Sequence, residues 1–257
     1  MIRSAVQTVA GDAALDLRAA ELPALAVRDE CPASVAGCGE ELPSMWDFVL
    51  DRREQVAVQA FQHVSLVVQC VVLGTVVALV LAALVYRSAV ATSLANAVSA
   101  VGLTIPAFAL LGILLAPFGF GTTPAVIAVT FYAALPVLRN AIVGLAGVDR
   151  SLTEAARGIG MSRLAALVRV ELPLAWPVIL AGVRVSTQMV MGIAAISAYV
   201  LGPGLGGFIF SGLSRLGGAN ALASALTGTV AIVVLALVLD LLLLLMGRLT
   251  TPRGIRV

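Results

Sequence analysis

The sequence predicts an all-α membrane protein, a polytopic bundle of about five transmembrane helices. Three observations point to it. Hydrophobic residues fill 60% of the 257 positions and charged residues 12%, against about 45–50% and about 25% in a soluble domain. Mean hydropathy is +1.06. Charge is also crowded at one end, with ten of the 14 acids inside residues 1–54, and from residue 64 onward long apolar blocks alternate with short polar breaks. Every one of the 16 basic residues is arginine. Without lysine there is no phosphate loop of the G-x-x-x-x-G-K-[ST] type and no Schiff-base chemistry. A net charge of +2 with no basic run excludes nucleic-acid binding, and three cysteines exclude a disulfide scaffold.

Residues 1–45 form an acidic tail expected to be solvated and poorly ordered. Over residues 1–54, five arginines against ten acids leave −5. No apolar core follows the first residues, so the tail does not read as a signal peptide. Cys31 and Cys38 are available to pair in an oxidising compartment, and Met45 is an alternative start. Residues 46–63 are an amphipathic lead-in, with His63 expected at the membrane interface. Residues 64–257 form the membrane domain. Its first span, 64–85, is free of charge and about 33 Å long as a helix, enough to cross a bilayer; Cys70 is a small apolar residue within it. The second span, 94–116, contains Asn96, Thr104 and Pro106. The third, 124–145, carries Arg139 and Asn140 near its end. The fourth, 174–201, contains Arg184, and the fifth, 221–246, contains Asp240.

Arginines near span ends set the orientation. Arg87, Arg150, Arg157, Arg163, Arg169, Arg248, Arg253 and Arg256 share one side, leaving Arg215 and the acidic tail on the other. Loop 147–173 and the C-terminus are therefore expected in the cytoplasm and the N-terminus outside. Loop 147–173 reads as two short helices around a glycine turn. Ser151 and Glu154 form a capping box, Gly158 and Gly160 allow the turn, Ser162 caps the second helix and Pro173 ends it. Such a projecting helix suits another protein's groove; an interfacial hairpin anchored by arginines is the alternative.

Within that loop Glu154-Ala155-Ala156, Gly160, Val170 and Leu172-Pro173 place seven residues at set spacings over 20 positions. The pattern resembles the EAA signature of bacterial ATP-binding-cassette importer permeases, with Val170 for the usual Ile. The resemblance implies a type I importer permease fold with a cytoplasmic coupling helix. On it Glu154, Ala155, Ala156 and Gly160, with Leu172 and Pro173, would form the surface that couples to an ATPase. Residues 104–112, 132–140, 202–208 and the ending from Asp240 to Gly254 are similar to the osmoprotectant subgroup, which imports glycine betaine, choline and carnitine. Related methionine permeases share the core. Implied partners are two ATPase subunits, a second permease copy or paralogue, and an extracytoplasmic binding protein, with the lipid bilayer as surroundings. No cofactor, metal or catalytic residue is implied, and ATP hydrolysis falls to the partner.

Ionisable groups at membrane depth are candidates for a translocation path. Arg184 either lines the path or is tied to nearby groups, and Asp240 is able to pair with Arg184 or Arg139. Aromatic faces attract quaternary ammonium ions, which makes Tyr132 and Tyr199 candidates beside Phe108, Phe131 and Phe208, while Trp176 reads as an interface anchor. The stretch 201–207 is either a re-entrant loop or a surface turn. A self-contained channel or ion-coupled carrier would require repeated halves and buried carboxylates. A membrane enzyme would require a clustered catalytic set. The sequence offers neither beyond Asp240 and His63.

Overall fold

Apolar blocks in a bilayer must satisfy their backbone groups internally, which leaves the helix as the local solution. A computed structural model describes residues 45–250, where every regular element is helical. The acidic tail with Cys31 and Cys38, and Arg253 and Arg256, lie outside the described residues. Helix α1 (Met45–Asp51) leads into α2 (Arg53–Val85) with a break of one residue. At 33 residues, or about 50 Å, α2 absorbs most of the expected lead-in and exceeds the span predicted at 64–85. The break is packed rather than loose: Phe48 is buried edge-on to Phe208 at 6.3 Å, and the Arg52 guanidinium covers its ring at 4.7 Å.

The second predicted span is broken. α3 (Ala89–Thr104) and α4 (Ala107–Phe118) meet at 92°. Pro106 supplies no N–H and holds Ile105 extended, so the helix cannot continue. The carbonyl of Ile105 accepts a hydrogen bond from the Tyr132 hydroxyl, which satisfies a group the break would otherwise strand. The pair still joins opposite ends of the bundle. At its start Arg87 reaches Glu171, at the entry to the fourth span, and just past its end the Gly121 N–H donates to Val200 O at 2.8 Å, beyond the exit of that span. It therefore stands as the fifth crossing, beside four helices long and apolar enough to span a membrane.

α5 (Thr122–Ala146) is the central helix, with 56% of its apolar window buried. Small residues let its neighbours approach closely. A Cβ at Gly74 on α2 would meet Ala133 Cβ at 2.9 Å, and one at Gly182 on the fourth span would meet Asn140 Cβ at 2.6 Å. Beyond α5 come α6 (Arg150–Gly158), α7 (Arg163–Ala166), a π-helical turn (Leu167–Glu171) and α8 (Leu172–Ile196). After a 3₁₀ turn (Ser197–Val200), α9 (Gly206–Leu213) folds back and α10 (Ala221–Thr250) makes the last crossing. Only 6% of the apolar window of α10 is buried, so it lies at the edge of the bundle.

His63, expected at the membrane interface, is fully buried within the bundle, with Nε2 against Met191 O at 3.2 Å. Of the two readings left open for residues 201–207, a plain surface turn does not fit. Gly204, at φ +122°, lies so close to His63 that a Cβ would sit 2.6 Å from Nδ1, and Leu205, Gly206 and Phe208 are buried. A local sequence pattern carries no sign of this contact, which joins segments about 140 residues apart.

Candidate functional site

The hairpin between α5 and α8 is built from its caps. Asp149, not Ser151, caps α6: Asp149 Oδ1 accepts from the Ser151 N–H at 2.9 Å. The expected capping box is therefore displaced, because a carboxylate at this position also meets the positive end of the helix. The Ser151 backbone N–H, and then its hydroxyl, hold the Asp149 carboxyl below the usual carboxylate range. Ser162 caps α7 as expected, its Oγ accepting from the Ala165 N–H at 3.2 Å. Gly160 makes the turn at φ +86° with no atom within 4 Å of an added Cβ. Glycine is required there for its backbone alone.

Glu154, Ala155 and Gly160 are exposed, whereas Ala156 is buried. Ile159 and Leu164 are 77% and 69% exposed at the turn, so a polar hairpin presents apolar side chains outward. Pro173 does not end the second helix. α7 runs through the π turn into α8, and the Leu172 N–H donates to Leu167 O five residues back. Pro173 falls in the first turn of α8, directly after the π turn. Leu172 is half-buried and Pro173 exposed.

Beneath the hairpin lies a cluster that sequence reasoning missed. Glu171 is buried, its side chain 3% exposed. The Tyr86 hydroxyl donates to Oε2, and Arg87 Nη2 donates to Oε1 at 3.0 Å. The Arg87 guanidinium also lies 5.0 Å from the Tyr86 ring centre. A polar cavity of about 340 Å³ adjoins the cluster, reaching Arg150, Thr153, Glu154 and Arg157 of α6. One signal was available, since Glu171 is among only four acids beyond residue 54.

Burial first, and the Glu171 carboxylate second, push the Tyr86 phenol up to about 12. The raised value lies above the unfolded value of about 10, so the proton's contribution to stability is complete below pH 10 and lost as pH rises through 12. An ultraviolet titration of wild type minus Tyr86→Phe is expected to give one phenolate step near pH 12. A step near pH 10 would mean that the phenol does not face the carboxylate.

The three candidate path residues engage separate partners. Arg184 makes a two-pronged ion pair with Asp240 of α10, Nε to Oδ1 at 2.9 Å and Nη2 to Oδ2 at 2.8 Å. This selects among the partners the sequence left open. Tyr132 is buried at the α3–α4 break. Tyr199 lies 15 residues beyond Arg184, or about 22 Å along the helix. It is exposed and packs with Phe108 at 5.2 Å and Phe210 at 6.1 Å. Trp176 Nε1 donates to Thr250 Oγ1 at 2.9 Å, and Phe131 packs on Tyr132.

Residues 72–251 match the family described as binding-protein-dependent transport system inner membrane component. Among curated proteins, the carnitine transport permease protein OpuCB of Listeria monocytogenes is 36% identical over 215 residues, covering 81% of this chain and 94% of the relative. The choline transport system permease protein OpuBB of Bacillus subtilis is 34% identical, covering 77% and 89%. The osmoprotectant import permease protein OsmW of Salmonella typhimurium is 37% identical, covering 81% and 98%. Among solved structures, an inward-facing MetNI methionine ABC transporter aligns at TM-score 0.66 with 21% identity, over 82% of this chain and all of the other. An amino acid ABC transporter aligns at 0.61 with 21% identity, over 79% and 97%.

Proposed function

The chain belongs to the binding-protein-dependent transport system inner membrane components, and from that premise we propose that it is the membrane subunit of an ATP-driven importer of small quaternary ammonium osmoprotectants. The observation that carries the reading is the capped hairpin of α6 and α7, with Glu154, Ala155, Gly160, Ile159 and Leu164 turned outward. An outward apolar and acidic surface on a rigid element is what a partner's cleft requires. Two ATPase subunits close on ATP, draw the hairpins of two permease subunits together and rock the spans between inward- and outward-facing states. A binding protein delivers cargo at the end where Tyr199 lies. The hairpin and C-terminus face the cytoplasm and the N-terminus the outside, in a bacterial inner membrane, as the arginines direct. Choline, carnitine and glycine betaine are the favoured cargo because relatives in Listeria monocytogenes and Bacillus subtilis carry those compounds in their names.

The test is co-purification from mild detergent of the tagged chain and of Gly160→Glu, which places a charged side chain at φ +86°. Left-handed backbone costs a non-glycine residue about 1–2 kcal/mol, and the added carboxylate also enters the partner's cleft. Wild type is expected to retain an ATPase at near-equal stoichiometry and the variant to lose most of it. Uptake of labelled choline, carnitine and methionine then assigns the cargo. A wild-type chain that never retains an ATPase, under crosslinking as well as in detergent, would overturn the reading in favour of a self-contained carrier.

A further inference from the structure

We infer that Glu171, gripped by Tyr86 and Arg87, is the joint through which movement of the docking hairpin reaches the first span and the broken crossing. The inference rests on the importer reading above. It concerns a positioning residue, since Glu171 touches neither the hairpin's outer surface nor the other ion pair.

A carboxylate removed from water is expensive unless its oxygens are satisfied, and a well-packed apolar residue usually serves stability as well or better. Here both oxygens are satisfied, each by a donor from the same short link. Tyr86 closes α2 and Arg87 lies two residues before α3. One side chain on the path from α7 to α8 thus holds the end of one crossing and the start of another.

The backbone at that point is also special. Glu171 is the last residue of the π turn, and such turns inside α-helices are rare and gather at functional sites. Without the turn, a stiff rod from α7 into α8 would carry hairpin motion only into α8. The turn places the carboxylate where α2 and α3 are within reach. The adjoining cavity of about 340 Å³ is lined by this grip and by Arg150, Thr153, Glu154 and Arg157 of α6, so the grip stands beside the hairpin whose movement it passes on. The contact is short and directional, and it is made or broken as a unit. These are the properties a two-state element requires if it is to transmit rigid-body motion.

The test uses the full transporter, with the ATPase that co-purifies and its binding protein, in proteoliposomes. Glu171→Gln, Arg87→Gln, the double variant and the milder Tyr86→Phe are compared with wild type. The readouts are ATPase retained, and ATP hydrolysed per molecule of labelled choline, carnitine or methionine, whichever the wild type accumulates. Glu171→Gln and Arg87→Gln are expected to keep the ATPase near wild-type stoichiometry while ATP spent per cargo rises about tenfold. The double variant is expected to be no worse than either single one, because the groups act as a unit. Tyr86→Phe shifts the ratio in the same direction by less. A parallel fall of hydrolysis and uptake, with the ratio unchanged, would assign Glu171 to folding alone and overturn the inference. So would loss of the ATPase from the variants while wild type keeps it. A wild-type chain with no ATPase overturns the importer reading itself, and that result is visible before any variant is made.

Discussion

Gly182→Leu is expected to lower the melting temperature of the chain by several degrees, while Gly192→Leu, ten residues along the same helix, leaves it unchanged or slightly raised. A Cβ at Gly182 would lie 2.6 Å from Asn140 Cβ and 3.0 Å from its Cγ. Asn140 has little freedom to retreat, because its Nδ2 donates to Pro136 O at 2.9 Å. The leucine therefore wedges α8 away from α5, the most extensive helix contact in the bundle. Overpacking of this kind costs about 3 kcal/mol or more, equivalent to a fall of roughly 6–12 °C in melting temperature for a chain of this size. At Gly192 nothing lies within 4 Å of an added Cβ, and leucine is the better helix former by about 0.8 kcal/mol. Fluorescence-detected size exclusion of heated, detergent-solubilised samples reads both. Equal melting of the two variants would mean that the α5–α8 contact is looser than described.

The second large effect concerns the ion pair between α8 and α10. Asp240→Asn leaves the Arg184 guanidinium without its carboxylate at membrane depth. Breaking a buried pair from one side costs about 3–5 kcal/mol. With the side chains of Arg184 and Asp240 34% and 21% exposed, about 2–3 kcal/mol is the expected loss. Removing both charges with Arg184→Leu and Asp240→Leu is expected to recover most of it, since neither group is then left unpaired. The cycle separates architecture from transport. If the pair only ties α10 to α8, the double variant both folds and transports. If Arg184 also lines the path, the double variant folds and uptake stays low. Asp240→Asn melting with wild type would sink the prediction.

Much of the fold was legible because a membrane imposes simple rules on a sequence. Apolar length located all five crossings, although the break of the second at Pro106 was not expected. The signature from Glu154 to Pro173 located the hairpin, and Gly160 and Ser162 hold the places expected of them. The long-range misses share one cause. The grip on Glu171, the burial of His63 and the choice of Arg184 for Asp240 all join residues between about 55 and 130 positions apart. Local periodicity reports which residues share a helix face, and it is silent on what that face meets.

The sequence by itself determined that the chain crosses the membrane several times, where it crosses, and which loop carries the signature from Glu154 to Pro173. Those features depend on composition and on spacings within one segment, which the hydrocarbon core and the backbone read directly. Only the tertiary structure decided that α5 is central and α10 peripheral. Helices that are apolar on every side show no contrast between a face toward lipid and a face toward protein. Their order in the bundle is set by the fit of small residues such as Gly74 and Gly182 against particular neighbours. The few charges between them, Glu171, Arg184 and Asp240, acquire their roles only once that fit brings their partners within reach.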